Sequence, residues 1–159
     1  MLKSQGLSKG SMPTVTYDTS AIIAYKPAEF PSGFLMSAVV IQELTAGAAD
    51  KSEVQQWDAA RRAYEKVGAL LVPTGEDWWL AGKVLNSLLR GLKSKYGGRT
   101  PRLSATEKQG IVRDVLIART VRRAGALLVT ENLRDFKMIR RFCAVRVISG
   151  ADYFGRRSE

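Results

Sequence analysis

The sequence predicts an α/β domain built on a mostly parallel sheet, and three observations predict it. Short continuous apolar runs of strand length alternate with longer segments of helical period, the pattern of strands buried on both faces by crossover helices. The alternation fills most of a 159-residue chain that is 45% hydrophobic, enough for one well-buried core. No internal repeat or composition break separates a second domain. Residues 1–12 are polar and Gly/Ser-rich and read as a disordered N-terminal extension or a cloning scar, 13–152 as the folded domain, and 153–159 as a basic C-terminal tail.

The elements follow in order. Thr14 to Tyr17 is β-branched and aromatic, a buried strand running into Asp18, and Thr19 to Tyr25 opens a helix. Phe34 to Val40 is a second apolar run, and Ile41 to Ala49 has helical character. Ser52 and Gln55 form a capping-box pattern ahead of Val54, Trp57, Ala60, Tyr64 and Val67 at helical spacing, with Gly68 as the stop. Ala69 to Val72 is a third strand. Thr74 caps a helix carrying the stripe Ala81, Val84, Leu85, Leu88 and Leu92, and Lys93 to Leu103 reads as a basic loop. Ser104 and Glu107 cap a helix over about 105–124 that stops at Gly125. Ala126 to Thr130 is the strongest strand, and Ala144 to Ile148 is the last, after a short helix.

Composition narrows the chemistry. The chain has no histidine, one cysteine and a formal charge of +10. Nucleophile–histidine machinery, paired-histidine ribonuclease chemistry and zinc fingers are thereby excluded, and acid/base work falls to carboxylates, lysines, tyrosines or metal-bound water. Cys143 alone forms no internal disulfide and reads as a small buried residue of a cytoplasmic protein. No apolar run reaches the roughly 20 residues that span a bilayer. Residues 1–80 hold 7 basic and 9 acidic side chains, residues 81–159 hold 18 and 6, so the basic excess belongs to the second half. Such polarity suits a polyanion, nucleic acid first and an acidic protein or anionic membrane surface second. Glycine-rich phosphate loops are absent.

Four carboxylates interrupt apolar patterns. Asp18 closes the first strand, at the end where parallel sheets bind ligands. Glu43 has Val39, Val40, Ala46 and Gly47 as helical neighbours, Asp114 shares a face with Ile117, Ala118 and Val121, and Asp135 lies just past the strand Ala126 to Thr130. The remaining acids read mostly as solvated. Buried carboxylates repel one another unless capped, paired with arginine or bridged by a cation. Oxygen ligands without histidine suit Mg²⁺ or Mn²⁺.

These segments together resemble PIN-domain ribonucleases, and within them the VapC-like toxins of type II toxin-antitoxin systems. Thr14 to Tyr25 resembles the opening strand with its first acid, Asp18, and the following hydroxyl, Ser20. Ser37 to Gly47 resembles the segment with the family glutamate, Glu43; Asp114 to Ala118 the helix with the third acid; and Leu128 to Phe136 the closing motif, with Thr130 steadying the site. Where many relatives carry Asp two residues after that Thr, this chain has Asn132, with its acid at Asp135 and Glu131 as a substitute. The resemblance implies a PIN-like doubly wound five-stranded parallel sheet flanked by helices. It also implies Mg²⁺- or Mn²⁺-dependent endonucleolytic cleavage of RNA, with catalytic residues Asp18, Glu43, Asp114 and Asp135, of which Asp18, Asp114 and Asp135 hold the metal. A cognate antitoxin and a homodimer are its implied partners. A catalytically inactive PIN-fold RNA- or protein-binding module is the alternative.

The basic half supplies candidates for the RNA backbone: Arg90, Lys93, Lys95, Tyr96, Arg99 and Arg102 around the basic loop, and Arg119 after Asp114 on its helix. Arg119, Arg122 and Arg123 equally suit the negative end of that helix or acids of a partner. Trp57, Trp78, Trp79, Leu88 and Leu92 read as core, or else as a dimer or antitoxin face.

Overall fold

The computed structural model describes residues 14–25, 32–98 and 103–155. In chain order the elements are β1 (Val15–Tyr17), α1 (Thr19–Ala24), β2 (Met36–Ser37), α2 (Ala38–Ala46), α3 (Lys51–Lys66), β3 (Leu70–Leu71), α4 (Gly75–Lys95), α5 (Ala105–Arg123), β4 (Leu127–Thr130), α6 (Leu133–Ile139), β5 (Arg146–Ser149) and α7 (Gly150–Gly155). Residues 1–12, the end of the C-terminal tail, Arg99 and Arg102 lie outside the described residues.

Among the described residues every strand pairing is parallel. β1, β4 and β5 form a three-stranded sheet, with Tyr17 opposite Val129 and Val129 opposite Ile148. β2 and β3 form a two-stranded one, with Met36 opposite Leu70. The two meet at an isolated bridge, where Leu35 stands opposite Thr16 and its amide donates to Val15 O at 2.9 Å. The strands therefore run β3-β2-β1-β4-β5, with pairing interrupted between β2 and β1. The single continuous five-stranded sheet expected from the sequence is in this respect two sheets, because β2 and β3 are only two residues long.

Side chains alternate across the strands. Leu128 and Val147 point into the larger core with α2, α4, α5 and α6. Val15, Tyr17, Val129 and Ile148 point the other way, against Ala21 of α1 and Tyr153 and Phe154 of α7. Tyr17 meets Phe34 edge-on at 5.1 Å. Helices thus cover both faces, and Cys143 is buried in the larger core.

Several boundaries shift from the sequence reading. The apolar run after Phe34 becomes helical already at Ala38, since α2 buries Val39, Val40, Ile41 and Leu44. α3 is capped by Asp50, whose side chain accepts from Glu53 N at 2.9 Å, rather than by Ser52. Lys93 and Lys95 belong to the last turn of α4, not to a loop, which places cations at the negative helix end. Thr74 caps α4 as expected, in a box completed by Asp77, and the box at Ser104 forms as expected, Ser104 accepting from Glu107 N at 3.1 Å and Glu107 accepting from Ser104 N at 2.7 Å. Gly125, at φ +63°, closes α5 in a backbone region that costs other residues strain. Gly150 is fixed by space instead: a Cβ there would lie 2.3 Å from the Tyr25 ring.

Trp78 and Trp79 are corrections. They are 57% and 64% exposed, while Ala81 and Val84 carry the buried stripe of α4. Trp57, Leu88 and Leu92 are half-buried, the first two packed against the core.

Candidate functional site

Asp18 leaves β1 and becomes the N-cap of α1. Its Oδ1 accepts from Ala21 N at 3.0 Å and from Ser20 Oγ at 2.7 Å, and the Thr130 hydroxyl at the end of β4 donates to Oδ2. Asn132 N donates in turn to Thr130 Oγ1 at 2.9 Å, and Glu131 N to Ser20 Oγ at 3.0 Å. The adjacent strand ends are thus laced together through two hydroxyls, and the carboxylate is 5% exposed. Burial pushes Asp18 above its ordinary pKa, the bonds from Ser20, Thr130 and Ala21 oppose that, and Glu43 adds to it.

Glu43 enters from α2. Thr19 Oγ1 donates to its Oε2, and the Arg113 Nε lies 2.8 Å from its Oε1. That contact is an ion pair without an aligned hydrogen bond, for the buried Arg113 Nε has no hydrogen-bond partner. Asp114 stands where α5 enters the core, just ahead of the buried run Val115 to Ala118. Burial first, then the like charges of Asp135, Glu43 and Asp18, push its carboxyl up to about 7, against a smaller opposing pull from Arg113.

Asp18, Thr19, Ser20, Ile23, Glu43, Asp114, Ile117 and Asn132 line one cleft of about 310 Å³ beyond the carboxyl ends of β1 and β4. Asp135 is exposed on α6 and lies across Asp114, in an adjoining cleft of about 270 Å³ with Glu107 and Met138. Asp114 is shared by both clefts. Three sequence-identified acids therefore come together with Ser20 and Asn132, Thr130 lies beneath them, and the fourth acid approaches from the side. Among the described residues, no three acids are already gathered closely enough to hold one ion. The donor set is nonetheless all oxygen, the kind that a hard divalent cation prefers.

Arg90, Lys93, Lys95 and Tyr96 are exposed at the far end of the α4–α5 pair, and none lines the acid cleft. Arg119 corrects the sequence reading. Its Nε donates to Asp77 Oδ1 at 3.3 Å, and Arg123 Nη1 donates to Asp77 Oδ2 at 2.7 Å. Asp77, one of the acids not singled out in the sequence, is 0% exposed. Burial pushes its pKa up, but the Thr74 amide, Arg123 and Arg119 together hold it below the usual range. The sequence reading also missed Thr19 and Arg113; only the adjacency of Arg113 to Asp114 could have signalled it.

No protein-family model matches the chain, and no curated protein matches it in sequence. Its structure is similar to a chain of the DNA-bound VapBC complex from Salmonella typhimurium, at 19% identity and TM-score 0.50, over 87% of this chain and 99% of that one. A chain of the FitAB complex bound to the IR36 DNA fragment is similar at 13% identity and TM-score 0.50, over 86% and 95%. Likeness at this level shows a shared fold, and it bears out the α/β, PIN-like architecture that the resemblance implied. No described helix is long and apolar enough to cross a membrane.

Proposed function

We propose that this chain is an Mg²⁺- or Mn²⁺-dependent endoribonuclease that hydrolyses RNA phosphodiesters and serves as the toxin of a toxin-antitoxin pair. The carrying observation is Asp114, buried beside Asp18 and Glu43 at the strand ends and pushed up to about 7. Left alone, that cluster is electrostatically penalised. Asp18, Asp114 and Asp135 would hold the cation, and Glu43, freed from Arg113, would complete the site or orient the attacking water. A divalent ion held there lowers the pKa of bound water and stabilises charge on the phosphate, so no histidine is required. Ser20 and Thr130 fix the Asp18 carboxylate, and Asn132 borders the cleft. Arg90, Lys93, Lys95 and Tyr96, with Arg99 and Arg102, remain candidates for the RNA backbone; Arg119, held by Asp77, does not. The partners under this reading are RNA, a cognate antitoxin and a second copy of the chain.

Purified protein incubated with structured RNA and Mg²⁺ or Mn²⁺ should cleave it. Chelation should abolish cleavage, and Asp114→Asn should cost more than the roughly 10–100-fold that losing an outer partner of a metal site costs. Cleavage surviving both controls overturns the mechanism. Binding without cleavage under either metal assigns the inactive binding module instead. Expression should arrest growth for the wild type and not for Asp18→Asn; equal tolerance of both removes the toxin role.

A further inference from the structure

We infer that a groove beside the acid cleft, walled by Gln42, Trp78, Lys108, Gln109, Val112 and Arg113, is a subsite for a single-stranded RNA segment. In it Trp78 stacks a base while Lys108 and Arg113 meet its phosphates. The subsite rests on the nuclease reading above and specifies where the strand leaves the cutting site.

The groove follows from helix periodicity. On α5, Gly110, Asp114 and Ile117 line the acid clefts. The next face, Gln109, Val112, Arg113 and Leu116, lines two adjoining hollows of about 400 and 190 Å³ against α2 and α4. Both hollows share Gln42, Trp78 and Arg113. Gln42 precedes Glu43 and Arg113 precedes Asp114, so the Arg113–Glu43 ion pair is the wall between groove and acid cleft. A chain crossing that wall passes from the acids to the indole without leaving the surface.

The chemistry of the walls selects the occupant. Among the described residues no carboxylate lines either hollow, whereas two cations and two carboxamides do, beside the apolar Leu85, Val112, Pro73 and Leu116. Trp78 leaves 57% of its surface open beside them. An aromatic face flanked by cations and amides is what a single strand uses, since bases stack on the ring and phosphates meet the charges. A buried apolar helix from a partner would leave Lys108, Gln42 and Gln109 desolvated and unpaired. Arg113 borders both sites, its Nε 2.8 Å from Glu43 Oε1 while its side chain lines both hollows. A phosphate drawing Arg113 into the groove would also release Glu43 toward the acid cleft.

The test is fluorescence anisotropy of a labelled single-stranded RNA dodecamer in chelator, which reads binding without cleavage. Trp78→Ala should weaken binding about 5–150-fold, the range for losing one stacked base, and Trp78→Tyr should restore most of it. Trp79→Ala alters an indole that is 64% exposed but outside the groove, and should stay within about twofold of wild type. Lys108→Ala should make the dependence of log affinity on log salt shallower by about 0.7. Wild-type protein that does not bind, or equal losses for Trp78→Ala and Trp79→Ala, overturns the subsite. RNA affinity that ignores Trp78 assigns the groove to a protein partner and overturns it too. If the binding pattern holds and metal-loaded protein never cleaves, the subsite stands and the nuclease reading fails.

Discussion

Two carboxylates on facing helices are treated in opposite ways. Asp77, at the start of α4, is fully enclosed, yet its oxygens meet the Thr74 amide, Arg119 and Arg123, and its pKa is held below the ordinary range. Asp114, midway along α5, is less enclosed, faces Asp135, Glu43 and Asp18, and is pushed up to about 7. The arginines that could have neutralised the acid lie five and nine positions further along the same helix. Asp77 takes them, and the strand-end cluster keeps its negative charge. Burial is the largest upward push on both; what reverses it at Asp77 is that the charge is already answered. A satisfied carboxylate fastens α4 to α5, whereas an unsatisfied one is what the proposed function assigns to a cation.

The largest expected effect comes from breaking the satisfied member. Asp77→Ala removes the α4 cap and leaves two arginines without their acid, and should cost about 3–5 kcal/mol in urea unfolding. Asp77→Asn keeps an acceptor for the Thr74 amide and should lose less. Equal, small losses for both would mean that the arginines, which reach solvent, do not depend on Asp77, and the contrast with Asp114 would collapse.

Asp114→Asn should move stability the other way in metal-free protein. The full displacement from 3.8 to about 7 corresponds to about 4 kcal/mol at high pH. Partial solvent contact lowers this, so a gain of roughly 1–3 kcal/mol is expected at pH 8. The pH dependence follows the same logic. Between about pH 4 and 7 the folded state retains a proton on Asp114 that the unfolded chain has released, so stability falls as pH rises through that window. Asp18, also raised, adds to the fall. Asp77 is lowered, so its contribution is present above the ordinary carboxylate range and is lost as pH falls through its folded pKa. Urea unfolding across pH in chelator should show both limbs, with Asp114→Asn flattening the neutral one. A flat neutral limb in the wild type would remove the stored repulsion on which the metal argument rests.

The two regions also differ in how legible they were in the sequence. Asp18, Glu43 and Asp114 interrupt apolar periods, and a charged residue on a buried face announces itself within seven residues of chain. Asp77 does not, because its local pattern is an ordinary capping box and its arginines lie 42 and 46 residues away. The same limit hid Arg113 behind Asp114 and hid the packing of Gly150 against Tyr25 and Glu131, contacts set only when separate elements meet. Trp78 and Trp79 were misread because hydrophobic residues at helical spacing say which residues are apolar, not which side of a helix faces the core. The order of strands and helices was plain as far as β5, but α7, whose Tyr153 and Phe154 pack against Tyr17, falls partly in the segment read as a tail; the break between β2 and β1 was not plain either, since pairing length depends on neighbours that an apolar run does not contain.

The smallest expected effect lies at the join between the two regimes. Among the described residues Arg113 is the cation that lowers Asp114, yet it pairs with Glu43 across a partly solvated contact, with side chains 35% and 21% exposed. An ion pair of that kind contributes only about 0.2–1 kcal/mol, so Arg113→Gln should barely change stability near neutral pH. Its electrostatic effect should be clearer. With the guanidinium gone, the like charges around Asp114 act unopposed, and the midpoint of its titration should move upward. Carboxyl-carbon NMR titration in chelator would read that movement directly. A midpoint that stays put would show that Arg113 is spent wholly on Glu43, leaving Asp114 without an answering cation among the described residues. A loss as large as that of Asp77→Ala would show the reverse, that the strand-end cluster is already fastened by arginine and stores no charge for a metal.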